Sequence, residues 1–210
     1  TAIGRDVMAA AARHLTPLTL ELGGKCPCIV CADAKPGVAA RRILWGKCLN
    51  AGQTCAAPDY VLVHASVKQD LLDALVAAHS RFFPDTPRAS EHFGRVVNRK
   101  HFDRLVAYLD DGRVVLGGVH DADDLDIAPT VLIDVDPESP VMQEEIFGPI
   151  LPLIPFERLD EAFRMLQDQP QPLALYVFTE NSGTADRVVN ETSSGGVGIN
   201  DTVSQIFGKD

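Results

Sequence analysis

Reactive chemistry in this sequence centres on Gly52-Gln53-Thr54-Cys55, the middle of the stretch Leu44–Tyr60. Ala40, Ile43, Leu44, Lys47 and Cys48 recur at helical spacing, and the pattern breaks at Asn50-Ala51-Gly52. After Pro58 an apolar, β-branched run begins at Tyr60-Val61-Leu62-Val63. Cys55 is therefore expected on a tight helix-to-strand connection, where a side chain can face a cleft. A thiol there is a candidate nucleophile, since its thiolate is reactive and needs only a modestly lowered pKa. A buried, inert cysteine is the alternative reading. Glu21 closes a run, Leu18–Leu22, that reads as a short buried strand ending at Gly23-Gly24. It reads equally as a general base in a cleft or as a solvated strand-end carboxylate. Glu144-Glu145 alone reads as a solvated helix face and Phe147 as core packing.

Cys26, Cys28 and Cys31 raise the question of a metal. They have no second ligand cluster and lie around the apolar run Cys28–Cys31, so they read as small packing thiols, and no metal is expected. His120–Asp124 lacks the alternating ligands, central glycine and distal glutamate of a calcium loop and reads as solvated charge. His79 reads as a packing residue on a helix.

The elements that must position these residues alternate. Residues 5–14 are an alanine-rich helix stopped by Pro17. Strands are expected at Cys28–Cys31, Tyr60–His64, Val114–Leu116, Thr130–Ile133, Ile150–Phe156, Leu173–Thr179 and Val197–Asn200. Helices are expected from Pro36 to Gly52 and over Val67–Phe83, Asn98–Asp111, Leu159–Gln167 and Ser182–Asn190, with Val141–Phe147 short or irregular. The stripe on Val67–Phe83 is Leu71, Leu72, Leu75, Val76 and His79. Strands and helices in this order predict an α/β fold, a mostly parallel sheet with helices on its faces.

The 210 residues suffice for a real core. Lys plus Arg is 19 against 29 for Asp plus Glu, a net charge of −10, which argues against a nucleic-acid or anionic membrane surface. No run is long and apolar enough to span a bilayer. Five cysteines in no regular framework suggest reduced thiols and a cytoplasmic setting. No G-x-G-x-x-G fingerprint, Walker loop or Ser-His-Asp order is present.

Leu20-Glu21-Leu22-Gly23-Gly24-Lys25, then Gly52-Gln53-Thr54-Cys55, then Gln143-Glu144-Glu145-Ile146-Phe147-Gly148-Pro149 occur in this order. Together they resemble the signature set of the aldehyde dehydrogenase superfamily. The flanks Trp45-Gly46-Lys47, Ala57–Tyr60, Pro137–Met142 and Glu191–Val197 are similar to its fatty-aldehyde (class 3) branch. The resemblance implies NAD(P)-dependent oxidation of an aldehyde through a Cys55 thiohemiacetal and thioester, with Glu21 activating the hydrolytic water. It implies NAD or NADP as cofactor, with Glu145 on the nicotinamide-side ribose, Phe147 against the nicotinamide, and Leu22 and Gly23 also in the cofactor site. Asn200 matches a position near the active site. A homo-oligomer, such as a dimer, is implied for the full-length protein.

The family's dinucleotide-binding elements, and the asparagine that completes its oxyanion hole, lie upstream of the Leu-Glu-Leu-Gly-Gly motif. Residues 1–23 are therefore expected to be the end of that domain and residues 24–210 the catalytic, thiol-bearing domain. Ser204–Asp210 does not match the family's continuation. An incomplete enzyme with little turnover alone is expected. The rival readings are a thiol esterase using Cys55 and Glu21 without a nicotinamide, and a non-catalytic dimerisation or binding remnant.

Overall fold

The computed structural model describes residues 2–207. An alanine-rich helix, α1 (Ala2–Ala12), comes first, and an irregular approach leads to strand β1 (Pro27–Val30). Helix α2 (Pro36–Cys48) carries Pro36 in its first turn, where a missing N–H is harmless, and runs into a 3₁₀ turn, Leu49–Gly52. Strand β2 (Tyr60–His64) and helix α3 (Lys68–Phe82) follow. Asn98 caps helix α4 (Arg99–Ala107) by accepting the N–H of His101. Then come β3 (Arg113–Leu116), a small hairpin of β4 (His120–Asp121) and β5 (Asp126–Ile127), β6 (Thr130–Ile133), and the single turn α5 (Pro140–Gln143). The last elements are β7 (Ile150–Phe156), α6 (Leu159–Gln167), β8 (Ala174–Phe178), α7 (Ser182–Glu191) and β9 (Gly196–Ile199).

Seven strands form one sheet in the order β3-β6-β7-β2-β1-β8-β9, with only β3 antiparallel to its neighbour. The central strands are apolar on both faces, as a sheet covered on both sides requires. Ile29, Leu62, Ile154 and Val177 point into one core layer, which α4, α6 and α7 cover with Leu105, Phe163 and Val188. Cys28, Val61, Leu153 and Tyr176 point into the other, covered by Ile43 of α2 and Leu75 of α3.

The α/β reading and the central strands agree with the structure. The predicted strand Leu18–Leu22 does not exist. That segment pairs with no strand among the described residues, and Leu18 and Glu21 are exposed. Local apolar alternation made the segment look like a strand, but a strand needs a partner edge, and β2 and β8 flank β1 on both sides. The stripe on α3 is also narrower than expected, since Leu71 and Leu75 are buried while Val76 is 46% exposed. His79 packs against Phe83 with ring centroids 5.3 Å apart. Asp121 and Asp124 of the acidic loop pair with Arg88 and Arg95. No helix among the described residues is long and apolar enough to cross a membrane.

Neighbouring positions on α3 should therefore respond differently. Leu75→Ala should cost about 2–5 kcal/mol, and Val76→Ala should stay within about 0.5 kcal/mol. Urea unfolding midpoints with an unchanged slope test the contrast.

Candidate active site

The cysteine loop is built from unusual backbone. Asn50, Ala51 and Gly52 follow one another at φ 51°, 54° and 74° and turn the chain out of α2. Only glycine fits the third position, because a Cβ there would collide with the Gly148 carbonyl, so Gly52 is also where the cysteine loop meets the 144–149 segment. Gln53 is spent on the scaffold. Its amide donates to the Asn50 and Arg95 carbonyls at 3.1 and 2.9 Å and accepts the Val97 N–H at 2.9 Å. Two residues on, Cys55 is exposed, Cys48 is half-buried, and Cys26, Cys28 and Cys31 are buried. Burial pushes the thiols of Cys26, Cys31 and Cys48 up to about 12 and that of Cys28 well above its ordinary value. Burial therefore favours the neutral thiol over the nucleophilic thiolate at those four. Cys26, Cys28 and Cys31 lie in the core, in accord with the packing reading.

A buried ion pair anchors the far end of the loop. Lys25 meets Asp59 at 2.5 Å and also donates to the carbonyls of Val141 and Glu144 at 2.8 and 2.9 Å. The other oxygen of Asp59 accepts the N–H of Ile146 at 2.9 Å. The approach to β1, the exit of the cysteine loop and the 141–146 segment therefore converge on one pair. Arg104 supports the last of these from α4, donating to the carbonyls of Glu145 and Ile146 at 3.3 and 2.7 Å.

Glu145 and Phe147 lie just past this anchor. The half-buried Glu145 carboxylate lies over Gly23, where a Cβ would strike its oxygens. Burial raises its pKa, and the Gly24 N–H, donating to it, partly offsets that rise. Neither Glu144 nor Glu145 is helical, since α5 ends at Gln143. Phe147 sits at φ 49° and is 39% exposed, so the expectation of core packing from its residue type alone fails. A left-handed phenylalanine with an open ring is the kind of backbone strain that gathers at binding sites.

Leu22 packs against Gly4 of α1. Glu21 is exposed, as the solvated alternative of the sequence reading has it, although its segment joins no sheet and it ends no strand. Asn200 is not brought to this edge. It follows the carboxyl end of β9, whereas Cys55 precedes the amino end of β2, and all the intervening strands are parallel. Its side chain bonds the N–H and C=O of Thr179 at 3.0 and 2.8 Å, tying β9 to β8. Lys25, Asp59 and Arg104 were not singled out from sequence. The available signal was charge abutting the apolar runs that follow Lys25 and Asp59.

Lys47, in the last turn of α2, is buried and has no hydrogen-bond partner among the described residues. Burial lowers its pKa to about 8, with nearby Asp59 opposing the drop. The unfolded chain holds this proton more tightly, so folding carries a penalty that is full below about pH 8 and fades as pH rises towards the ordinary lysine value. Lys47→Met should stabilise the chain at pH 7, and its advantage over the parent should shrink between pH 7 and 10; a constant advantage in urea titrations would contradict this. Lys25→Met, by stranding Asp59, should cost about 3–5 kcal/mol, with Lys25→Met/Asp59→Leu recovering a large part.

The aldehyde dehydrogenase family model matches residues 1–208. The dimeric NADP-preferring aldehyde dehydrogenase of Mus musculus is 48% identical over 206 residues, 98% of this chain and 46% of that protein. Aldehyde dehydrogenase family 3 member B1 of Homo sapiens is 51% identical over 199 residues, 95% of this chain and 42% of that protein. A substrate-bound AldH of Staphylococcus aureus superposes with a TM-score of 0.96 at 46% identity, covering 99% of this chain and 46% of that one. A betaine aldehyde dehydrogenase of the same organism, in complex with NAD+, gives 0.85 at 32% identity, covering 96% of this chain and 43% of its own. This chain thus spans less than half the length of the relatives it matches.

Proposed function

This chain belongs to the aldehyde dehydrogenase family, and on that premise we propose that it carries the thiol chemistry of an NAD(P)-dependent oxidation of aldehydes to carboxylic acids. The observation that carries the reading is the contrast among its thiols: Cys55 is exposed on a loop of strained backbone, while Cys26, Cys28, Cys31 and Cys48 are withdrawn and held protonated.

The Cys55 thiolate adds to the aldehyde carbon, forming a thiohemiacetal whose oxyanion would accept a hydrogen bond from the Cys55 N–H. Residues on this edge fit the nicotinamide end of a dinucleotide. Glu145 offers an acceptor for ribose hydroxyls over the bare backbone of Gly23, and Phe147 offers an open aromatic face. Leu22 belongs to the same approach to β1. A bound nicotinamide nucleotide supplies the hydride acceptor that lets the thiohemiacetal become a thioester. Glu21 then takes a proton from the water that attacks the thioester, and the Cys55 thiolate leaves as the acid is released. Residues 24–210 form the thiol-bearing domain in this reading, with 1–23 the end of a dinucleotide-binding domain. The name of the murine relative supports a homo-oligomer, and five free thiols support a reducing, cytoplasmic setting.

In the full-length protein, formation of reduced nucleotide from NAD or NADP on adding an aldehyde, absent in Cys55→Ala, tests the dehydrogenase. Acid release from an activated ester without any nucleotide reduction would favour the thiol esterase. Loading Cys55 with p-nitrophenyl acetate isolates the second half of the reaction. Glu21→Gln should slow loss of the acetyl group, followed by intact mass, by about 10²–10⁴. Loss at the parental rate would remove Glu21 as the base.

A further inference from the structure

Two buried donors beneath the cysteine loop have no role in the chemistry above. The thiol of Cys26 donates to the carbonyl of Cys55 at 3.4 Å. The hydroxyl of Tyr176 donates to the next carbonyl, that of Ala56, at 2.6 Å. Both side chains are wholly buried in the same core layer, and Cys28, two residues beyond Cys26, pairs in register with Tyr176 across β1 and β8. The directions of these bonds are fixed. Gln205 donates its amide to the Tyr176 oxygen at 3.1 Å, so the tyrosine proton is left for Ala56. The backbone of Cys26 also accepts the N–H of Asp59 at 2.8 Å, so residue 26 holds both ends of the 55–59 segment. Between them, Ala57 closes a turn onto the Thr54 carbonyl at 3.1 Å.

We propose that Cys26 and Tyr176 are positioning residues for the nucleophile, fixing two consecutive peptides so that the Cys55 thiol is held in one direction above the sheet. The inference rests on Cys55 acting as the nucleophile and goes beyond it in naming what aims the thiol. Burial pushes the Cys26 thiol up to about 12 and the Tyr176 hydroxyl well up, so both keep the donor proton across the working pH range. A buried donor could be satisfied anywhere; these two are spent on adjacent carbonyls of the one loop that carries an exposed thiol. The loop is also held on either side of the nucleophile. Gln53, two residues before it, is bonded to the Arg95 carbonyl and the Val97 N–H, and the Asp59 anchor lies four residues beyond it.

Two reagents with different geometric demands separate aiming from gross reactivity. Acylation by p-nitrophenyl acetate requires the sulfur to approach a carbonyl along a defined line beside its oxyanion donor. Alkylation of the same exposed thiol by iodoacetamide requires far less. Cys26→Ala and Tyr176→Phe should each slow the acylation burst by about three- to tenfold, while alkylation changes by less than about twofold. Cys26→Ser, which keeps a donor, should restore the burst. Equal bursts in all variants, a serine variant as slow as the alanine one, or parallel loss of both reactions would overturn the proposal. A parent chain that takes no acyl group would instead refute Cys55 as the acyl-accepting nucleophile. The clamp is then decided by amide exchange over residues 53–57, which should quicken in Cys26→Ala and Tyr176→Phe and stay slow in Cys26→Ser; unchanged exchange would overturn it.

Discussion

The site depends on one buried ion pair. Lys25 has three donors and spends them on Asp59 and on the carbonyls of Val141 and Glu144, while the second oxygen of Asp59 takes the N–H of Ile146. Taking two charges out of water costs several kcal/mol each, and this is tolerated only when the remaining donors and acceptors are satisfied. Here the partners come from three stretches far apart in sequence. If any one of them withdraws, a charge or carbonyl is left unpaired in the interior. The pair therefore acts less as a source of net stability than as a register mark, allowing one mutual placement of the cysteine loop and the 141–149 segment.

That placement holds backbone that would not persist alone. Asn50, Ala51 and Phe147 all lie in the left-handed region, each at a cost on the order of 1–2 kcal/mol. The two strained stretches meet where Gly52 abuts the Gly148 carbonyl, and each is tied down nearby. Gln53 anchors the first to the 95–97 loop, and Arg104 anchors the second from α4. Strain of this kind exposes the Cys55 thiol and the Phe147 ring in a region that is otherwise well packed.

The sequence made the sheet legible because its strands are covered on both faces. Tyr60–His64, Thr130–Ile133 and Ile150–Phe156 are short continuous apolar runs between turn signals, and the structure reproduces their limits. Leu18–Leu22 carries the same local signal without being a strand, because pairing is decided by which edges are free and not by a segment's own composition. Exposure followed similar lines. The helix break and glycine at 50–52 correctly indicated an open cysteine. Phe147 went the other way from its residue type, since the 141–146 segment before it is fixed by Lys25 and Asp59. The sequence left Glu21 open between cleft and solvent, and the strand that would have decided it is missing. Asn200 shows the same limit: its type and position are legible, but its commitment to Thr179 depends on the alignment of β8 with β9.

The edge of the sheet on which these groups gather carries a chemical consequence. Ligands of open α/β sheets usually sit beyond the carboxyl ends of the strands, where helix N-termini offer N–H groups to anions. Lys25, Cys55, Asp59 and Glu145 instead precede the amino ends of β1, β2 and β7. The helices that end on this side, α2 before β2, α6 before β8 and α7 before β9, present carbonyls, the negative pole of their dipoles. None of these three helices turns its N-terminus to a thiolate or oxyanion here. The favourable partners of such an anion are the N–H groups of the turn that holds Cys55. The same polarity suits Glu145 to hydroxyl groups, which it accepts from, and makes the edge a poor seat for phosphate. A dinucleotide bound as proposed would therefore meet this chain at its nicotinamide and ribose and turn its pyrophosphate away from the sheet edge.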